Sequence, residues 1–110
     1  MSVRGVAMID IRREDRPARG IRFSIAGAEG EAARAYLYIM TNDLHAAPFG
    51  LLERGGGLGT TLVREAIAAA REAGCYKLIA TSRTSRPKVH ALYERLGFTS
   101  HGLEFRLQLG

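Results

Sequence analysis

Residues 54–62 read Arg-Gly-Gly-Gly-Leu-Gly-Thr-Thr-Leu and lead directly into the alanine-rich run at residues 63–70. Glycine has no side chain and tolerates positive φ, so the backbone of this stretch can approach a ligand closely. The first turn of the helix that follows has N–H groups without intrahelical partners, and it lies at the positive end of the helix dipole. The stretch therefore predicts a glycine-rich loop and a helix N-terminus that together bind phosphate oxygens.

The residues after the loop predict two helices around one buried strand. Apolar residues recur at helical spacing over residues 58–73, and Gly74 ends that helix. Residues 75–81 are almost continuously apolar, as a parallel strand covered on both faces would be. A second helix begins near Pro87, which suits a first turn, and ends at Gly97. The closing strand or strands are predicted from the apolar residues Phe98, Leu103, Phe105, Leu107 and Leu109.

The residues before the loop predict a run of strands. Short apolar or alternating segments predict strands at residues 6–11, 21–25, 33–40 and 48–53. Residues 27–30 have the composition of a hairpin turn between the second and third of these strands. The resulting order, β-β-β-β-α-β-α-β, indicates an α/β (α+β) fold with a mixed, mostly antiparallel sheet and helices on its faces.

The composition is that of one small globular domain spanning residues 1–110. Apolar residues make up 46% of the chain and charged residues 25%, the balance of a folded rather than a disordered protein. No apolar run reaches the roughly 20 residues of a membrane helix. No signal peptide is recognisable, so a cytoplasmic location away from membranes is expected. The single Cys75 excludes an internal disulfide and is interpreted as a half-buried strand residue.

The formal charge of +5 suits either a nucleic acid or a polyphosphate ligand. The 16 Lys and Arg residues are spread along the chain rather than interleaved with aromatic residues in one segment. That distribution argues against a nucleic-acid partner. A P-loop is disfavoured because the glycine stretch lacks the Gly-Lys-Ser/Thr ending. The Rossmann fingerprint fails because Leu62 stands where its third glycine should be.

Two motifs, in this order, resemble the GCN5-related N-acetyltransferase (GNAT) superfamily. The first is Arg-x-x-Gly-x-Gly, met here by Arg54, Gly57 and Gly59. The second is Leu-Tyr-Glu-Arg-Leu-Gly-Phe at residues 92–98. The glycine motif alone is weakly specific, but the pair of motifs with a predicted strand between them is much more so.

The resemblance implies acetyl-coenzyme A as co-substrate, with its pyrophosphate held by backbone amides of the glycine loop. The family's central strand pair, here residues 48–53 and 75–81, splays apart so that the pantetheine arm can pair with exposed backbone. No metal is implied. The cofactor-binding residues carried over to this chain are Leu52, Arg54, Gly55, Gly56, Gly57, Leu58, Gly59, Thr60, Thr61, Ser82 and Arg86.

Tyr93 and Glu53 are the catalytic residues that the resemblance implies. A tyrosine at the position of Tyr93 commonly protonates the departing thiolate, and a glutamate such as Glu53, or a water, deprotonates the amine. Each has a structural alternative: Tyr93 could be a core residue, and Glu53 could be a solvated charge at a strand end. His45 and His90 are candidates for substrate contact or proton relay, or are surface residues.

Two positions depart from the family pattern. Arg86 stands where family members often have an asparagine. Glu53 directly precedes Arg54, whereas the family normally continues this strand past a bulge for several more residues. The junction predicts either a true deletion or loop residues that the sequence omits. A true deletion would remove the backbone amide that polarises the thioester carbonyl.

The predicted function is transfer of an acetyl group from acetyl-coenzyme A to an amine on a small molecule, peptide or protein. The alternative is a non-catalytic acetyl-coenzyme A-binding module that acts as a sensor or complex subunit, which the shortened junction would favour. Homodimerisation through the closing strand or the sheet edge is a further hypothesis.

Overall fold

Four strands and two helices form the described part of the chain, in the order β-β-β-α-β-α. The computed structural model describes residues 9–56, 59–81 and 87–110. The elements are β1 Arg19–Gly27, β2 Gly30–Asn42, β3 His45–Gly56, α1 Gly59–Glu72, β4 Leu78–Ala80 and α2 Pro87–Arg95. The predicted mixed fold with a mostly antiparallel sheet is confirmed.

The four strands lie in the sheet in chain order, from β1 to β4. β1, β2 and β3 pair antiparallel, and a tight turn joins β1 to β2 in the predicted hairpin. Gly30, which follows that turn, has φ of 113°, a conformation that glycine adopts without steric cost. β4 pairs parallel with β3, and such a pair needs a crossover connection, which α1 provides.

Alternation along β2 gives the sheet two different faces. Ala33, Ala35, Leu37 and Ile39 are buried, and we call the face on which they lie the inner face. The residues between them, from Arg34 to Met40, lie on the opposite face, which we call the outer face. The inner face therefore carries the core.

Both helices pack on the inner face. α1 buries Leu62, Val63, Ala66 and Ala70, and α2 buries Leu92 and Tyr93. Both helices end before a glycine of positive φ, as predicted: Gly74 at 78° and Gly97 at 95°. The amides of Cys75 and Phe98 satisfy carbonyls of the preceding turns in these two ends.

The predicted first and closing strands are the main corrections to the fold. Residues 9–11 have no regular structure, and residues 6–8 lie outside the described residues. The segment turns charged at Asp10, so it offers no continuous apolar face. The closing strand is also wrong: residues 98–110 contain no strand, and the four apolar residues Leu103, Phe105, Leu107 and Leu109 are 81–88% exposed. β4 has only three residues, so it offers too few backbone hydrogen-bond partners for a further strand to pair with it.

The two strands of the predicted splayed pair differ in length from the prediction. The strand predicted at residues 48–53 runs from His45 to Gly56, because the 13-residue β2 supplies pairing partners along its whole length. The strand predicted at residues 75–81 is the three-residue β4. The pair lies at the edge of the described sheet rather than at its centre, because the closing strands are absent from the described residues. The described residues contain no helix long and apolar enough to cross a bilayer.

Candidate active site

The glycine-rich stretch divides between the end of β3 and the start of α1. Gly55 and Gly56 pair with β2 and continue the strand instead of forming a loop. Residues 57 and 58 lie outside the described residues, and α1 begins at Gly59. Thr60 and Thr61 occupy its first turn, where N–H groups lack intrahelical partners. Of the remaining predicted cofactor residues, Leu52 is 3% exposed, whereas Ser82 and Arg86 lie outside the described residues.

Arg54 lies on the inner face at the end of β3, where it pairs with the buried Ala35. Its guanidinium carbon is 5.8 Å from the centre of the Tyr93 ring. Its Nε is buried and has no hydrogen-bond partner among the described residues. Because a buried donor without a partner costs about 1–3 kcal/mol, Arg54 is a group that an anion at this position would stabilise.

Gly59 makes room for the Arg54 side chain. A β-carbon on Gly59 would lie 2.6 Å from Nη1 and 2.9 Å from Cζ of Arg54, and 2.9 Å from Cδ2 of Leu92. The first turn of α1 can therefore pack against these two side chains only because residue 59 has no side chain of its own. The glycine in this position serves close approach rather than a turn.

Tyr93 is a core residue of α2 that also lies beside the Arg54 guanidinium. It is 8% exposed and packs in a cluster with Leu52, Leu62 and Val63. Its ring lies 5.1 Å from that of Phe98, tilted by 50°. The ring of Tyr93 is therefore part of the core, as the structural alternative to its catalytic role predicts. The same ring faces the Arg54 guanidinium.

Glu53 lies on the outer face, away from Arg54 and Tyr93. It is exposed and sits directly opposite Tyr36 of β2. Its carboxylate makes no hydrogen bond or ion pair with another described residue. The structure therefore brings Arg54 and Tyr93 together and leaves the other predicted catalytic residue on the opposite face of the same strand.

The edge of β3 that faces β4 is only partly paired. β4 covers residues 50–52 of β3 and ends at Ala80. Among the described residues, no strand pairs with this edge from Glu53 to Gly56. The pairing of β3 with β2 has no bulge between Phe49 and Gly56, so the strand passes straight through the Glu53–Arg54 junction. Unpaired backbone at a sheet edge can accept an extended ligand.

The outer face beside Glu53 carries residues that the sequence analysis did not single out. Arg22 donates hydrogen bonds to the Tyr36 hydroxyl oxygen and to the Glu31 carboxylate. The bond to Glu31 is the main reason that the pKa of Arg22 is raised. The rings of Tyr36 and Tyr38 lie 6.3 Å apart and nearly parallel, at 6°. The signal was present in the alternation of residues 33–38, where polar and aromatic side chains interleave with buried ones.

Arg34 lies on the same face, across the strand from Gly55. Its guanidinium carbon and one terminal nitrogen lie 3.6 Å from the position that a β-carbon of Gly55 would occupy. It makes no hydrogen bond or ion pair with another described residue. Two arginines, Arg34 and Arg54, therefore flank the end of β3 on its two faces.

The two candidate histidines lie in different places: His45 is far from Arg54 and Tyr93, and His90 is in α2, the helix that carries Tyr93. His45 is at the start of β3, opposite to the glycine end, where its ring stacks on Tyr76 at 3.7 Å. Its Nδ1 accepts a hydrogen bond from the amide of Ala47. His90 is half-buried in α2. No group of three or more His, Cys, Asp or Glu residues in the described ranges is placed to bind a metal.

Comparison with known proteins identifies the family and the fold. Residues 52–98 match the model of the Acetyltransferase (GNAT) family. A solved structure named "Putative acetyltransferase from Agrobacterium tumefaciens str. C58" is 30% identical with a TM-score of 0.73, over 82% of this chain and 69% of that one. Glucosamine-6-phosphate N-acetyltransferase from Arabidopsis thaliana has the same fold, with a TM-score of 0.73 at 20% identity, over 83% of this chain and 67% of that one.

Two curated relatives are similar over about half of this chain. A probable glucosamine 6-phosphate N-acetyltransferase 2 from Oryza sativa is 39% identical over 54 residues, 49% of this chain and 31% of its own length. Glucosamine 6-phosphate N-acetyltransferase from Trypanosoma brucei is 42% identical over 57 residues, 51% of this chain and 36% of its own length. The chain thus aligns with about a third of the length of these relatives.

Proposed function

Because the chain belongs to the GNAT family of acetyltransferases, we propose that it transfers an acetyl group from acetyl-coenzyme A to an amine acceptor. The observation that carries the proposal is the buried Nε of Arg54, which lies beside the first turn of α1 and has no hydrogen-bond partner in the described part of the chain. A polyphosphate at this point would give Arg54 an acceptor and would meet the free N–H groups of the helix.

The residues present fit acetyl-coenzyme A. Arg54 and the amides of residues 59–61 would hold its phosphates, and the edge of β3 that is unpaired after Leu52 would take its extended arm. When bound, the co-substrate supplies an activated thioester. The arm-binding role of the edge rests on the early end of β4: residues 53–56 pair with β2, and among the described residues no strand pairs with them on their other side.

Glu53 and Tyr93 are proposed as base and acid on the two faces of β3. Glu53, or a water, would take a proton from the acceptor amine on the outer face. The neutral amine nitrogen would then form a bond to the acetyl carbon and release its second proton to solvent while the carbon–sulfur bond breaks. Tyr93 would donate its hydroxyl proton to the leaving sulfur on the inner face. Opposite faces suit these roles, because the incoming nitrogen and the departing sulfur need protons moved at different places.

Stabilisation of the developing oxyanion is the step for which this chain differs from the family pattern. β3 has no bulge opposite β2 between Phe49 and Gly56. The N–H groups of residues 53–56 that point away from β2 are the backbone donors available at this edge. Few such donors are available because Arg54 follows Glu53 directly, without the further strand residues that the family normally has between them.

That same junction favours a second candidate function, in which the chain binds acetyl-coenzyme A without turnover. A chain that holds the phosphates but lacks a well-placed oxyanion donor would keep affinity and lose catalysis. Such a protein would act as a sensor or as a subunit of a complex. The two candidates predict the same cofactor affinity and differ in thiol release.

The acceptor is proposed to be a small amine. The relatives from Oryza sativa and Trypanosoma brucei are named as glucosamine 6-phosphate N-acetyltransferases, so this compound is the first to test. A homodimer and a cytoplasmic location stay proposals. Light scattering at the chain mass of 12.0 kDa, rather than at twice that mass, would remove the dimer.

The deciding experiment is calorimetric titration with coenzyme A and acetyl-coenzyme A, followed by a thiol-release assay with glucosamine 6-phosphate and a panel of amines. Micromolar binding with thiol release supports the enzyme. Binding without release for any amine supports the non-catalytic module. No binding by folded protein overturns both candidates.

A further inference from the structure

We propose that the outer face beside Glu53 is the acceptor site, that Arg34 binds a phosphate of the acceptor, and that Glu53 binds its amine. This inference rests on the proposed function. It assigns a specificity-determining role to Arg34 and restricts the acceptor to a small molecule that carries both a cationic amine and an anionic phosphate.

The charges on this face point to such a ligand. Arg22 and Glu31 form an ion pair, so each neutralises the other. Arg34 and Glu53 are exposed and make no hydrogen bond or ion pair with another described residue. Arg34 and Glu53 are therefore a cation and an anion that have no ion-pair partner among the described residues, and together they complement the two charges of an amino phosphate.

The spacing of the two charges is set by the sheet register. Arg34 lies opposite Gly55, and Glu53 lies opposite Tyr36. Glu53 and Gly55 are two residues apart on one strand, so their side-chain positions are separated by about 7 Å on the same face. The Arg34 guanidinium lies over Gly55, where a side chain would otherwise stand. One sugar ring can bridge a carboxylate and a guanidinium at this separation.

Tyr36 of β2 lies beside Glu53 on the outer face, directly opposite it in the sheet register. Its hydroxyl oxygen accepts a hydrogen bond from Nε of Arg22 at 3.0 Å, and the guanidinium carbon of Arg22 lies 5.6 Å from its ring centre. The phenolic proton remains available for donation to a ligand. A half-buried aromatic ring held from one side suits contact with the apolar face of a sugar.

The position of this site also agrees with the proposed chemistry. Glu53 is the last residue of the outer face before the glycines, and it lies where the β3 edge loses its pairing with β4. An amine held by Glu53 would therefore lie next to the open edge proposed for the thioester. A guanidinium binds phosphate oxygens in a bidentate manner, which would fix the orientation of the acceptor.

The test compares three probes that differ by one charged group: glucosamine 6-phosphate, glucosamine and glucose 6-phosphate. Binding of each is measured by calorimetry to the full chain with and without saturating coenzyme A. We expect glucosamine 6-phosphate to bind at least tenfold more tightly than either of the others. In Arg34→Gln, glucosamine 6-phosphate should bind only as tightly as glucosamine does, and glucosamine itself should be unaffected within twofold.

Arg64→Gln is the matched control, because Arg64 is an exposed arginine of α1 on the other side of the sheet. It makes the same change of charge and should leave all three affinities unchanged. A melting temperature like that of the wild-type chain establishes that each variant is folded.

Three results would overturn the assignment: equal binding of glucosamine and glucosamine 6-phosphate, equal losses in Arg34→Gln and Arg64→Gln, or no binding of any probe in either condition. Loss of coenzyme A affinity in Arg34→Gln, with acceptor binding intact, would place Arg34 in the cofactor site instead. Coenzyme A binding and thiol release with other amines, measured in the same preparations, distinguish failure of the proposed function from failure of the acceptor-site assignment. If both are present while the acceptor results are negative, only the acceptor site is wrong.

Discussion

Glu53 and Arg54 are consecutive residues that lie on opposite faces of the sheet, one opposite Tyr36 and the other opposite the buried Ala35. An extended strand places neighbouring side chains on opposite faces. Because Arg54 follows Glu53 directly, the two side chains lie on different sides of the sheet. A carboxylate reaches the outer face and a guanidinium reaches the helices from a single point on β3. The unpaired edge of the same strand begins at this point.

Replacing Arg54 with methionine should separate stability from cofactor binding. Methionine keeps much of the side-chain volume but removes the buried Nε, for which the described residues provide no hydrogen-bond partner. We therefore expect a free energy of unfolding that is unchanged or higher, by up to about 1–3 kcal/mol. Coenzyme A affinity should fall at least tenfold, about 1.4 kcal/mol. Chemical denaturation and calorimetry measure the two quantities.

The control for this variant is Arg64→Met, which removes an exposed arginine from α1. It should change neither quantity. A loss of stability in Arg54→Met with unchanged coenzyme A affinity would mean that the guanidinium has a structural role and no anion-binding role.

Gly59 and Arg54 should be energetically coupled. The β-carbon of Gly59→Ala would lie within 3 Å of the Arg54 guanidinium, so the guanidinium must move. A double-mutant cycle with Arg54→Ala should therefore give a coupling energy of at least about 0.5 kcal/mol in the free energy of unfolding.

Gly102→Ala is the comparison, since a β-carbon there meets nothing within 4 Å. Its effect should be within about 0.5 kcal/mol and should be additive with Arg54→Ala. Additive behaviour of the Gly59 and Arg54 changes would contradict the close approach.

The elements around the glycine stretch could be predicted because local chemistry specifies them. Gly74 and Gly97 end their helices with positive φ, and the helical spacing before them selects the buried residues. The hairpin before β2 follows from glycines at residues 27 and 30. The closing strand could not be predicted in the same way. Alternating apolar residues indicate that a strand would have one apolar face, but a strand also needs a neighbouring strand with which to pair. β4 is too short to supply one.

The motifs of the candidate site could be predicted from the sequence. The division of its residues between the inner and outer faces of the sheet could not. The sequence places Arg54, Gly59 and Tyr93 in one motif pair, and the structure brings them together. The roles of Arg34 and Tyr36 depend on the register between β2 and β3, which pairs them with Gly55 and Glu53. Register is set by long-range pairing, so no local pattern carries it.

Substitutions at the C-terminal apolar residues should be tolerated. Phe105 is 88% exposed and Leu107 is 81% exposed, whereas Leu37 in β2 is fully buried. The double variant Phe105→Ser/Leu107→Ser should change the free energy of unfolding by less than about 0.5 kcal/mol per site. Leu37→Ala should cost about 2–5 kcal/mol. A similar large cost at Phe105 and Leu107 in denaturant unfolding would show that this segment packs as a strand.

Cys75 should make stability decrease at alkaline pH. Burial raises the pKa of its thiol, so the unfolded chain releases this proton at a lower pH than the folded chain does. The associated stability is fully present below the thiol pKa of the unfolded chain, about 8.5, and is lost as pH rises through the higher folded value. Unfolding free energies of wild type and Cys75→Ser should therefore converge or cross as pH rises from 7 to 10. A constant difference would contradict the shift.

Tyr93→Phe should separate catalysis from packing and binding. The ring packs against Phe98 and the Arg54 guanidinium, and phenylalanine preserves both contacts. We therefore expect unchanged melting temperature and coenzyme A affinity within twofold, with kcat for thiol release lowered about 10²-fold, the range of a lost general acid. Tyr76→Phe is the matched control, because Tyr76 stacks on His45 at the far end of β3. If Tyr93→Phe and Tyr76→Phe have equal kcat, Tyr93 is a packing residue and the proton must reach the leaving sulfur from elsewhere.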